Sequence, residues 1–252
     1  MAKPAVILVG ADKGGVGKTT VARTLLDYFG AHNVPLRAFD TESPRGTLKR
    51  FHPEVTEVVD VTQVSDQMKI FDTLGNDLNK VTVIDVRAGL LSPTLRALTD
   101  IGLLDSAKKG QITFAVCHIL GPSIASLEEI AETANTVGDA NYYLVKNFVN
   151  ATTFFEWDPA TYNSYFKRIK GAAEINIPKL SEMAYEQVEV ASTPFVSFIA
   201  NKDARGENAN YSFVLRGYVR HWLGNVWGEF DRANLMDLVA PKAEGEARQA
   251  LG

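Results

Sequence analysis

Directly after the apolar run AVILVG (5–10) the chain reads ADKGGVGKTT (11–20), and its core KGGVGKT puts three glycines and two lysines into seven residues. Aliphatic and β-branched residues in a short run signal a strand, and the glycines interrupt it where a strand must hand over to a helix. Glycine tolerates the dihedrals that turn successive backbone N–H groups inward on an anion, and it leaves the anion room. The turn Gly14, Gly15, Val16, Gly17 therefore reads as a phosphate cradle. Lys18 reaches the β- and γ-phosphates in such a turn, and Thr19 sets its hydroxyl on Mg²⁺. A helix starting near Thr19, with Thr20 in its first turn, adds the positive end of its dipole. A plain glycine-rich turn that happens to hold lysines is the alternative, and the strand-to-helix context argues against it.

The remaining chain repeats the same alternation. Strand signals fall at 5–10, 35–40, 56–61, 81–86, 111–119, 142–148, 173–178 and 194–198, with helical patterns between them. This predicts βαβ units and a mostly parallel twisted α/β sheet covered by helices on both faces. In PSIASLEEIAETANTV, Ile124, Leu127, Ile130, Ala134 and Val137 recur at helical spacing and predict a covering helix. Near the C-terminus, Tyr211, Val214, Leu215, Tyr218 and Trp222 predict another apolar helix face. No repeat or linker divides the 252 residues, so one domain is expected over 1–240, with a poorly anchored tail at 241–252. Cys117 is the sole cysteine, which rules out an intrachain disulfide or a multi-cysteine metal site within one chain. His32, His52, His118 and His221 show no ligand spacing. The apolar run at the N-terminus is too short for a signal-peptide core, no stretch approaches a membrane span, and a cytoplasmic location is expected.

The strict phosphate-loop pattern places its first glycine at position 12, where this chain has Asp12. KGGVGKT instead resembles the deviant Walker A motif of the ParA/MinD family of P-loop ATPases, and the resemblance runs over roughly residues 4–225. It implies ATP and Mg²⁺ as cofactors and a homodimer formed on ATP, with Lys13 reaching the phosphates held by the other subunit. DTESPRG, ending the second strand, looks like switch I. There Asp40 matches the first carboxylate, a catalytic and metal-side group, and Glu42 stands where the family usually has the aspartate that orients the attacking water. VTVIDVRAG resembles Walker B running into switch II, with Asp85 holding Mg²⁺ through water and the Gly89 N–H sensing the γ-phosphate, while Arg87 intrudes between them. NKDA at 201–204 has the wrong spacing to read guanine, whereas Asn147, before INIP, sits where the family reads adenine. A plain strand-end cap is the alternative for Asn147.

Function follows the same resemblance. It implies a ParA-like switch that positions or segregates cargo such as a plasmid, chromosome or protein complex, hydrolysing ATP slowly with a stimulating protein partner. A net charge of -4 argues against coating nucleic acid with the whole surface. Partition ATPases of this kind bind DNA non-specifically, nucleoid-associated, through basic residues near the C-terminal end, which here points to Arg216 and Arg220 with Lys202 and Arg205. The alternative for these arginines is a covering helix with solvated charges. Lys167, Arg168 and Lys170, closing an aromatic-rich segment from 154, are a weaker partner surface. Two rival functions share the phosphate turn: an ATPase regulating conjugation or another process through a protein partner, and an ATP-dependent ligase acting on a small molecule. A reductase of the same superfamily needs two cysteines per chain for a shared iron–sulfur cluster and is excluded. The tail offers only Leu251 as a large apolar group, so no membrane binding is expected.

Overall fold

Residues of alternate parity along each strand go to opposite sides of a sheet, and in this chain both sets are apolar. A sheet built from such strands must be covered twice. The computed structural model describes residues 3–74, 80–138, 140–149, 152–166 and 171–239. In chain order it contains β1 (Ala5–Gly10), α1 (Lys18–Ala31), β2 (Leu36–Asp40), α2 (Thr47–Phe51), β3 (Thr56–Val58) and α3 (Val64–Phe71). These are followed by β4 (Val81–Asp85), α4 (Leu91–Asp100), α5 (Leu103–Lys108), β5 (Thr113–Ile119), α6 (Ile124–Val137) and β6 (Asn141–Asn147). The last elements are α7 (Pro159–Phe166), β7 (Ala173–Ile177), α8 (Glu182–Ala191), α9 (Phe195–Ile199), α10 (Phe213–Arg232) and a 3₁₀ turn (Leu235–Leu238).

The strands form one parallel sheet in the order β3-β2-β4-β1-β5-β6-β7. Ala5, Ile7 and Val9 of β1 enter one core with α1, α8, α9 and α10, while Val6 and Leu8 enter the other with α4 and α6. β1 lies at the centre, and the chain leaves it in opposite directions, toward β2 and β4 on one side and β5 on the other. Ligands of open parallel sheets bind where strand order reverses, at the carboxyl ends. Register sets what stands there: Val9 pairs with Asp85, and Asp40 pairs with Asp85, so both carboxylates end level with the turn after β1.

Two expectations about elements are corrected. PFVSF at 194–198 is helical, not a strand: Phe195 and Phe198 are buried three residues apart on one side of α9, and the Phe195 and Val196 backbone N–H groups meet the Asp27 carboxyl of α1. A helix start held by a carboxylate from elsewhere in the chain overrides the strand propensity of Phe and Val. In α10 the buried set is Val219, Trp222, Leu223, Val226 and Phe230, while Val214 and Tyr218 are exposed. The later turns, where Phe230 and Trp227 pack on Tyr28 of α1, set the helix's rotation, and the first turn runs past that cover. The tail 241–252 and the lysine and arginine run at 167–170 lie outside the described residues.

Candidate phosphate-binding site

The turn after β1 is braced from beneath. Gly17 has φ 87°, and a Cβ there would collide with the Asn147 side-chain amide. That amide is buried and donates from Nδ2 to the Val16 carbonyl at 3.0 Å. Only the NH₂ end can face a carbonyl, so the orientation of Asn147 is fixed. Asn147 thus holds the loop's backbone in place, a different contact from the adenine reading that resemblance implies.

Lys18 opens α1 and is buried, and its ammonium donates to the Lys13 carbonyl at 2.8 Å, spanning the turn. Burial lowers its pKa, and the carboxylates of Asp85, Asp12, Glu129 and Glu42 act in the opposite direction. Lys13 itself is exposed, its stem resting near Gly121. Thr19 follows on α1 and hydrogen-bonds the Asp85 side chain. Asp85 is buried, and its Oδ1 has no hydrogen-bond partner. Burial pushes its pKa up to about 7; Asp40 and Glu42 add to this, while Thr19 and Lys18 oppose it. An orphaned buried carboxylate oxygen beside a hydroxyl and an ammonium fits a hard cation bound through oxygen. Among the described residues no group of three or more His, Cys, Asp or Glu could hold a metal ion, so Thr19 and Asp85 would share it with phosphate oxygens and water.

Asp40, expected on the metal side, accepts three backbone N–H groups. Its Oδ1 accepts the Glu42 N–H at 2.9 Å, and its Oδ2 accepts those of Leu48 at 2.6 Å and Lys49 at 3.3 Å. Through these bonds Asp40 anchors the start of α2 and shapes the loop that follows β2. Gly46 sits at that start with φ 66°, and a Cβ would stand 2.5 Å from Val58. Glu42 accepts a hydrogen bond from the Thr47 hydroxyl. Two residues passed over by sequence reasoning join the loops. Thr41 donates its N–H to the Asp85 carbonyl at 3.0 Å and accepts the Arg87 N–H on its hydroxyl at 2.8 Å, tying the loop after β2 to the loop after β4. Asp12 accepts the Gly89 N–H on its carbonyl at 3.0 Å and reaches Leu91 and Ser92 with its side chain. No spacing rule signals contacts made 79 or 80 residues away.

The four basic residues expected to face DNA are not equivalent. Arg205 and Arg220 are exposed. Lys202 donates to Asn208 Oδ1 at 2.7 Å, and half-buried Arg216 donates to the Ile199 carbonyl at 3.3 Å. Asp203 and Glu207 share the turn with Lys202 and Arg205. Among the described residues no helix is long and apolar enough to cross a membrane.

No protein-family model matches the chain, and no curated protein does. Among solved structures, it is similar to the MinD cell division protein of Aquifex aeolicus at 14% identity, covering 88% of this chain and 97% of that one, with a TM-score of 0.49. A plasmid partition protein of Borrelia burgdorferi is 15% identical, over 75% of this chain and 97% of that one, at 0.41. A nucleotide-binding protein of Archaeoglobus fulgidus in complex with ADP is 16% identical, over 69% and 82%, also at 0.41.

Proposed function

We propose that the chain is a Mg-ATP-dependent ATPase switch of the ParA/MinD kind, which dimerises on ATP and in that state holds a cargo or partner until hydrolysis releases it. The observation that carries this reading is the orphaned Asp85 Oδ1, level with Thr19 and Lys18 behind a glycine turn that leads into α1. In this role Lys18 leaves the Lys13 carbonyl for the β- and γ-phosphates, and the first N–H groups of α1 face the same anion. Mg²⁺, when bound, supplies neutralisation of charge on the phosphate oxygens. Glu42 orients the attacking water, and Lys13, exposed at the mouth of the turn, reaches the partner subunit's nucleotide.

The two lysines test the reading because they are assigned different tasks. Lys18→Ala removes the charge partner of the phosphates and is expected to abolish ATP binding. Lys13→Ala is expected to keep monomer binding and fail to dimerise with a non-hydrolysable ATP analogue in sedimentation velocity. Normal dimerisation of Lys13→Ala removes the cross-subunit role, and unchanged ATP affinity in Lys18→Ala removes the reading as a whole. A second reading, an ATPase acting through a protein partner, is favoured by Phe213, Val214 and Tyr218, which expose apolar surface near the start of α10. On either reading the nucleotide chemistry is the same, and only the partner of the dimer differs.

A further inference from the structure

Asp12 stands where the strict phosphate-loop pattern has a glycine, and its side chain is fully engaged. Oδ1 accepts the Leu91 N–H at 2.9 Å, and Oδ2 accepts the Ser92 hydroxyl at 2.8 Å. Leu91 and Ser92 open α4, so the carboxylate satisfies a donor that a helix start leaves unpaired and puts negative charge at the positive end of the dipole. The Asp12 carbonyl accepts the Gly89 N–H at 3.0 Å. On the other side, the Asp12 N–H donates to Glu129 Oε2 of α6 at 3.3 Å. That oxygen lies 3.2 Å from His118 Nε2, and His118 Nδ1 lies 2.6 Å from the Tyr142 hydroxyl. The two ring nitrogens of His118 thus join the Glu129 carboxylate to the Tyr142 hydroxyl. His118 is fully buried, so this arrangement backs Glu129 with a packed core residue.

We propose that Asp12 is a positioning residue whose carboxylate clasps the start of α4 and keeps the Gly89 N–H on the phosphate loop, a bond that a γ-phosphate must break and a diphosphate leaves intact. The inference rests on the ATP reading above and adds to it how this chain tells ATP from ADP. A ligand shifts an equilibrium only by its differential affinity for the two states. Each bond from Asp12 to α4 therefore weakens triphosphate binding without touching diphosphate binding. Glu129 limits the alternative in which Asp12 itself moves, because it holds the backbone of Asp12 from the opposite side.

The test uses the full chain, with ADP and ATPγS as probes and amide exchange followed by NMR. In nucleotide-free protein, Asp12→Ala is expected to speed exchange of the Leu91 amide. It should also raise ATPγS affinity by about tenfold more than ADP affinity, the worth of one charge-assisted hydrogen bond beyond the loss of the Asp12 charge near Lys18, which acts on both nucleotides. Asp12→Asn retains one acceptor and should fall between the two. Ser92→Ala weakens the clasp from α4 with the loop intact, so it gives the same direction of change even if Asp12→Ala does not fold. Equal shifts for both nucleotides, or an unchanged Leu91 exchange rate in a folded variant, overturn the proposal. If the wild-type chain binds neither probe, the ATP reading fails and this role fails with it, while Leu91 exchange still decides separately whether the clasp exists.

Discussion

Glu42 carries one methylene more than the aspartate usual at this place in the ParA/MinD motif, and its carboxylate is occupied by the Thr47 hydroxyl at the first residue of α2. A general base or water-orienting group is worth roughly 10²–10⁴ in rate, and a misplacement of about 1 Å can cost a hundredfold. On the proposed reading, slow hydrolysis is expected from both the longer side chain and its tether. Glu42→Ala is expected to lower the single-turnover hydrolysis rate by about a hundredfold or more while ATP affinity changes little, since the carboxylate acts on the water and not on the nucleotide. Rapid-quench measurement of one turnover separates the two quantities. An unchanged rate would move the water-orienting role away from Glu42. Asp40 is a poor replacement, because its oxygens already hold the N–H groups of Glu42, Leu48 and Lys49.

At the scale of elements, α2 is moored to α1 and α8 through a partly buried polar cluster. The Arg23 guanidinium of α1 lies 3.4 Å from the Phe51 ring centroid and 4.2 Å from that of Phe195, and its Nη1 donates to Glu189 of α8 at 2.7 Å. Glu189 also takes Arg50 of α2. Beside them His52 Nε2 and Asp27 Oδ1 stand 3.9 Å apart. Burial raises the Asp27 pKa from 3.8 to about 7, against the pull of Arg23 and the Val196 and Phe195 N–H groups. Burial, with Arg23 adding, lowers that of His52 from 6.5 to about 3. Between about pH 4 and 6.5 the native chain keeps a proton on Asp27 that the unfolded chain has shed, so this group makes stability fall as pH rises. Over the same range the unfolded chain carries a proton on His52 that the native chain lacks, so that group makes stability rise with pH. Each slope approaches about 1.4 kcal/mol per pH unit, and they cancel in the wild type. Relative to wild type, His52→Asn is expected to lose stability as pH rises through this window, and Asp27→Asn to gain it, in urea unfolding followed at several pH values. Parallel curves for all three proteins would show that neither group is held in the stated protonation state. The same cluster marks where the sequence stops being legible. The turn KGGVGKT and the strands flanking it could be read from apolar runs and motif spacing, because those signals are local, whereas the level placement of Asp40 and Asp85 comes from strand register. That Asp27 meets the N–H groups of α9 could not, since its partners lie far along the chain, and neither could the brace that Asn147 gives Val16 across 131 residues.

For the whole molecule, charge geometry narrows what the proposed ATP dimer can hold. The chain carries a net charge of -4, so a monomer with a few basic side chains meets duplex DNA against overall repulsion. Dimerisation places two copies of any patch on one particle, and simultaneous contact multiplies their effect. Of the four residues near α10, only Arg205 and Arg220 are exposed; Arg216 is committed to the Ile199 carbonyl and Lys202 to Asn208, with Asp203 and Glu207 in the same turn. Of these four, two free cations per protomer would make four phosphate contacts per dimer. Each contact lowers the slope of log affinity against log salt by about 0.9, so the slope expected is about -4. We predict that non-specific duplex binding requires ATP, shows this shallow slope by fluorescence anisotropy, and is lost in Arg205→Glu with Arg220→Glu while dimerisation and ATP hydrolysis persist. Charge reversal at Arg216 is expected to act mainly on stability, because it breaks the tie to α9. A slope near -7 would mean that Lys202 and Arg216 release their partners to reach phosphate. If the ATP dimer retains no DNA even at low salt, the apolar face of Phe213, Val214 and Tyr218 becomes the surface that engages cargo, and a protein takes the place of DNA as the dimer's partner.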